Sequence, residues 1–141
     1  MNSKTFVVGF FVAVAVVVGI SVYLSATVND VDKSILSVSS PDGRYKAVRV
    51  RLTRSGTPYC FDSVSVFLTV YPDSFAESER SYQVFALPCA VSSPAPQITW
   101  MGNDALRITY SPAPAGSETD KLRHRLVDAS GSVRVSYLVR K

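Results

Sequence analysis

The side chains that could do chemistry here fall into four groups. His124 is the only histidine. It sits in Lys121-Leu122-Arg123-His124-Arg125, where adjacent positive charge should lower its pKa and hold the ring neutral. Serines and aspartates are plentiful, so a Ser–His–Asp hydrolase is one reading. No Gly-x-Ser-x-Gly, no cysteine–histidine spacing and no paired-carboxylate motif accompanies the ring. The expectation is a surface histidine, with no catalytic residue.

Cys60 and Cys89 are the only cysteines. One histidine and two cysteines are too few for a zinc site, and the spacing is not Cys-x-x-Cys. Cys60 opens an apolar run to Tyr71, and Cys89 follows the run Tyr82 to Leu87. If those runs pair as a hairpin, the two sulfurs meet at its open end. The expectation is a structural disulfide. Closing such a loop would stabilise the fold by about 3–4 kcal/mol in the chain-entropy picture.

Asp73, Glu77 and Glu79 share one polar segment and could hold a cation loosely. The spacing is not that of an EF-hand, and no glycine-rich phosphate loop exists. No metal and no cofactor is expected. Arg49, Arg51, Arg123, Arg125 and Arg134 alternate with apolar residues. If their strands are neighbours, the wet faces would form a basic contact face for lipid headgroups, an acidic protein or an anionic glycan. The plainer reading is a charged outer face that keeps the sheet soluble.

These residues need elements to hold them, and the periodicity is that of strands. Ile35–Val38 reads as a short strand, and Ser40-Pro41-Asp42-Gly43 is a turn. Over Tyr45–Thr53, Val48, Val50 and Leu52 point one way and Arg49, Arg51 and Thr53 the other. That predicts a half-buried strand with one wet face. Val64 to Val70 alternates, Pro72–Arg80 reads as a loop with room for a helical turn, and Tyr82–Leu87 is a further strand. Pro88, Pro94 and Pro96 exclude a central strand between them. Ile98 to Tyr110 reads as a tight hairpin, with Trp100 as a core anchor. Leu122–Val127 is a strand. In the last strand Val133, Val135, Tyr137 and Val139 share a face. About seven to eight short strands predict a mainly β fold, an antiparallel β-sandwich or curved sheet.

The N-terminus has a different character. From Thr5 to Asn29 there is no charged residue. About 20 apolar residues in a helix cross a hydrocarbon core of about 30 Å. The reading is an N-terminal transmembrane anchor over 1–28, meeting the lipid bilayer through residues 6–24, followed by an extracytoplasmic β domain over 29–141. Lys4 lies before the run, and Asp30 and Asp32 follow it. The positive-inside rule therefore puts the N-terminus in the cytoplasm and the domain in the periplasm or outside. A cleaved signal peptide is the competing reading, with Leu24-Ser25-Ala26 as its cleavage site. Either way the domain is exported. The formal charge of +4 is too weak to argue for nucleic acid.

The run Ser40-Pro41-Asp42-Gly43-Arg44-Tyr45-Lys46-Ala47-Val48 resembles the first hairpin of small uncharacterised bacterial exported or membrane-anchored β-domain proteins. Cys60, the alternation Val64–Val70, and Trp100 followed by Leu106-Arg107-Ile108-Thr109-Tyr110 are similar to their later landmarks. The resemblance spans about 40–140 and implies a β domain in the envelope. It brings no catalytic residue. No internal repeat supports a propeller. The functional expectation is a non-enzymatic, membrane-anchored binding or accessory module with an envelope protein as partner. The alternative is an immunity or inhibitor protein against a toxin or hydrolase acting in the envelope.

Overall fold

In the structure, a computed structural model, residues 31–117 and 122–141 are described. The expected anchor over 1–28 lies outside them. Among the described residues no helix is long and apolar enough to cross a membrane.

The chain from Asp32 to Lys141 is mainly β, with two sheets and little helix. The strands are β1 (Val31–Ser39), β2 (Tyr45–Arg54), β3 (Cys60–Leu68), β4 (Gln83–Pro88), β5 (Gln97–Gly102), β6 (Ala105–Tyr110), β7 (Arg123–His124) and β8 (Arg134–Val139). One sheet has the order β1-β2-β3-β4-β7 and the other β5-β6-β8. Between β3 and β4 lie a single-turn helix, α1 (Phe75–Ser78), and a 3-10 turn (Arg80–Tyr82).

The first turn follows its sequence. Gly43 N–H donates to the Ser40 carbonyl at 2.9 Å, and Gly43 has φ of 71°, which a residue without Cβ adopts freely. The Asp42 carboxylate accepts from the Ser40 hydroxyl at 2.7 Å and the Arg44 amide at 3.2 Å. These donors, the Ser40 hydroxyl first, hold its pKa below the ordinary carboxylate value.

The core lies between the two sheets. Ala47, Val64, Val66, Phe85 and Leu87 face Ile98, Leu106, Ile108 and Val135 across it. Burying a side chain the size of Phe85, fully out of solvent, contributes about 1.5–3 kcal/mol. Trp100 crosses from one sheet to the other, its indole N–H donating to the Val38 carbonyl of β1 at 3.0 Å. Its expected role as an anchor therefore includes a polar contact as well as apolar area.

Two expectations are corrected. The sheets are not wholly antiparallel, because β8 runs parallel to β6, with Leu106 beside Val135 and Ile108 beside Tyr137. A parallel neighbour needs a crossover. Here the chain leaves β6 and pairs β7 with the edge of the five-stranded sheet, Phe85 opposite His124. It then returns through a turn built on Asp128. That buried carboxylate accepts from the amides of Ser130, Ser132 and Val133 at 3.1, 2.9 and 2.8 Å. The strand expected over Leu122–Val127 is correspondingly short.

The second correction concerns β2, which has no wet face. Tyr45, Ala47, Arg49 and Arg51 look toward the second sheet. Val48 and Val50 look the other way and are buried with Phe67 and Ala76 beneath α1. Both faces are therefore covered over most of the strand, and the arginines lie on the inner one.

Candidate functional site

The inner face of β2 and β3 carries a charged row beside the apolar core. Register pairs Arg51 with Asp62. The guanidinium grips the carboxylate through Nε and Nη2, each at 2.7 Å, and the side chains are only 14% and 4% exposed. Donating to the Asp62 carboxylate raises the Arg51 pKa above its ordinary value. Arg51 Nη1 also donates to the Ser93 carbonyl at 2.7 Å, and Arg49 Nη1 to the Pro96 carbonyl at 3.0 Å. Arg140 reaches the Pro94 and Ala95 carbonyls from β8's far end at 3.5 and 3.4 Å. Three arginines thus clasp the loop between β4 and β5. The loop suits this because proline has no N–H, leaving successive carbonyls free to accept. Arg49 Nε is buried without a partner, and burial lowers that guanidinium's pKa.

Cys60 and Cys89 form the expected disulfide, with Cα atoms 5.0 Å apart. The Cys89 amide donates to the Cys60 carbonyl at 3.0 Å, continuing the pairing of β3 with β4. Asp62 lies close to both sulfurs. This is not a metal centre, since the sulfurs are bonded to each other and the carboxylate is held by Arg51. The acidic segment is engaged too. Asp73 takes the Lys46 ammonium at 2.6 Å and Glu77 the Lys33 ammonium at 3.0 Å.

His124 stands on β7 with its ring against three aromatic rings. The centroids of Tyr137, Phe85 and Tyr110 are 4.8, 5.3 and 5.3 Å away. Its pKa is lowered as expected, but by burial against these rings. The flanking cations point elsewhere. Arg123 donates to the Arg80 carbonyl at 2.8 Å and Arg125 to the Ser81 carbonyl at 2.7 Å. Tyr137's hydroxyl lies 2.8 Å from the Val84 carbonyl and 2.7 Å from that of Arg125. Its single proton serves one of them at a time, and burial pushes its pKa up. Among the described residues no carboxylate or serine hydroxyl bonds the imidazole.

The five arginines do not form one face. Arg49 and Arg51 are on β2, and β3 and β4 separate them from Arg123 and Arg125. Arg134 is on the other sheet, 75% exposed, beside Asp104 at 3.7 Å. Alternation fixed which residues share a side of one strand. It carried no information about which strands are neighbours.

The surface offers two concavities that the sequence reading missed. One, of about 820 Å³, lies over the disulfide, with Pro58, Tyr59, Phe61, Pro88, Val91 and Pro114 in its walls. The other, of about 500 Å³, lies on the outer face of the five-stranded sheet beside α1. Its floor includes Val50, Leu52 and Phe61, and Glu77, Arg80 and Arg123 stand around it. The only sequence signal for the first is the placing of prolines, a tyrosine and a valine where the chain leaves strands. Compared with family models, curated proteins and solved structures, the chain finds no match.

Proposed function

We propose that this chain is a membrane-tethered, non-enzymatic binding or accessory module of the bacterial envelope. The single observation that carries the reading is where its reactive side chains are committed. Asp62 and Arg51 hold each other, the cysteines are joined, and His124, though exposed, stacks on aromatic rings with no carboxylate or serine hydroxyl bonded to it among the described residues. What the surface presents instead is two concavities, one largely apolar and one lined by apolar and charged residues together. Such surfaces bind. The tether rests on the charge-free run before Asp30 and on the positive-inside rule. Anchoring would raise the domain's local concentration at the bilayer and favour weak contacts with envelope proteins.

The test is photocrosslinking in cells, from a photoreactive residue placed at Leu122, which is 40% exposed beside the outer-face groove. The expected result is a discrete adduct with an envelope protein. Hydrolysis by the purified chain that disappears in His124→Ala would overturn the reading. An adduct with a single hydrolase, accompanied by loss of that enzyme's activity, would move the chain to the inhibitor class.

A further inference from the structure

Several elements converge at the end of the domain where the chain arrives from its apolar run. The hairpin of β1 and β2 closes through Ser40 N–H to the Tyr45 carbonyl at 2.8 Å, so the start of β1 lies at the same end as Arg54. Register places Thr53 opposite Cys60 and Phe61 opposite Pro88, which adds the start of β3 and the end of β4. The Arg140 contacts with Pro94 and Ala95 bring the last residues of the chain there as well.

This proximal end carries the larger groove. Tyr59 is 45% and Val91 54% exposed at its walls, beside Pro58 and Pro114. The Arg54 guanidinium lies 5.9 Å from the centroid of the Tyr59 ring. An amphipathic ring beside a long cationic side chain is the pairing that suits a bilayer interface, where the ring meets acyl chains and the cation meets phosphate.

Cations and carboxylates are arranged differently at the two ends. Arg54, Arg140 and Lys141 are at the proximal end. In the turns at the opposite end Asp42, Asp73 and Asp104 lie beside Arg44, Lys46 and Arg134, and Asp128 accepts from backbone amides. Of the described carboxylates near the proximal end, Asp62 is sealed against Arg51 and Glu77 is paired with Lys33, leaving Asp32 on β1. The connection is short. Residues 25–30 separate the apolar run from β1, and fully extended they span about 20 Å.

We propose that this end rests on an anionic bilayer, with Tyr59 and Val91 at the acyl boundary and Arg54, Arg140 and Lys141 on lipid phosphates. The proposal rests on the tether reading. It adds that the domain is held against the membrane surface instead of swinging free, leaving the opposite end, and the part of the outer-face groove away from Tyr59, for protein partners.

The native chain supplies its own reference, because Trp100 is its only tryptophan and its bond to Val38 places it near the opposite end. The experiment uses the full chain in vesicles of phosphatidylcholine and phosphatidylglycerol with brominated acyl chains, which quench a nearby indole. The indole introduced by Tyr59→Trp, or separately by Val91→Trp, is expected to lose roughly half its emission or more, while Trp100 in the native chain is unchanged. Replacing Arg54, Arg140 and Lys141 by serine should reduce the quenching to its level in phosphatidylcholine alone. Flotation of the same samples separates the two readings. A chain that fails to float with vesicles overturns the tether and the docking together. A chain that floats while both introduced indoles stay bright overturns the docking alone.

Discussion

The two faces of β2 are covered in different ways. On the inner face Tyr45 and Ala47 pack into a core shared with a second sheet, and Arg49 and Arg51 continue the same row against the proline-rich loop. On the outer face Val48 and Val50 lie under a single helical turn, and Leu52 extends into an open groove. The charged side is thus tied down by ion pair and carbonyls, and part of the apolar side is left accessible. Amphipathic alternation says only that a strand's two sides differ. It does not say which one the rest of the chain will cover.

The largest effect should come from breaking the inner face at its charge pair. Arg51→Ala leaves the Asp62 carboxylate, 4% exposed, without its partner and frees the Ser93 carbonyl. An uncompensated buried charge costs about 3–5 kcal/mol. Urea unfolding should show that loss, whereas the double replacement Arg51→Met with Asp62→Leu should recover most of it. A single mutant as stable as the native chain would mean that water reaches the pair.

The disulfide closes the same end of the face. Its two cysteines are 29 residues apart. Cys60→Ala with Cys89→Ala should lower stability by roughly 3–4 kcal/mol, because the unfolded chain regains the freedom the bond removed. Thermal melting of the double mutant measures this, and reductant should no longer shift its midpoint.

The outer face should yield first and most locally. Phe75 stacks on Tyr71 with centroids 4.7 Å apart and meets the edge of Phe67 at 5.4 Å, holding α1 to the sheet. Phe75→Ala should cost about 1–2 kcal/mol, less than full burial would imply, because Phe75 is only partly buried. Hydrogen exchange should show protection lost over Phe75–Tyr82 while β3 amides stay slow. Equal loss across β3 would mean that the two covers form one cooperative unit.

How much of this was legible beforehand depends on the range of the interaction. The turn at Ser40–Gly43, the hairpin from Ile98 to Tyr110 and the shared face of Val133, Val135 and Tyr137 are local, and the structure has them as expected, except that Val139, expected on the same face, is left exposed at the strand's end. The disulfide was legible because two apolar runs around one loop bring the cysteines to the open end of a hairpin. The return of β8 beside β6 was not, since only a crossover through another sheet makes that neighbour parallel. Nor was the burial of Arg49 and Arg51, because their partners Ser93 and Pro96 offer backbone carbonyls, which every residue has. The acceptors that hold these cations leave no mark in residue type.

The smallest effect concerns the aromatic corner where β7 closes the inner core. Burial against Tyr137, Phe85 and Tyr110 lowers the His124 pKa from its ordinary value of 6.5. For a base depressed in the folded state, the unfolded chain binds the proton more readily. Stability is therefore constant well above pH 6.5. It falls as pH drops through the ordinary value and levels off below the lowered one. The ring is substantially exposed, which weakens the penalty through solvent screening, so the slope should be shallow. His124→Phe keeps an aromatic ring on Phe85 and has nothing to protonate. Melting curves between pH 5 and about 8 should show the native chain losing stability on the acid side relative to this variant. If the two curves run parallel, the imidazole is as well solvated folded as unfolded, and the corner is packing alone.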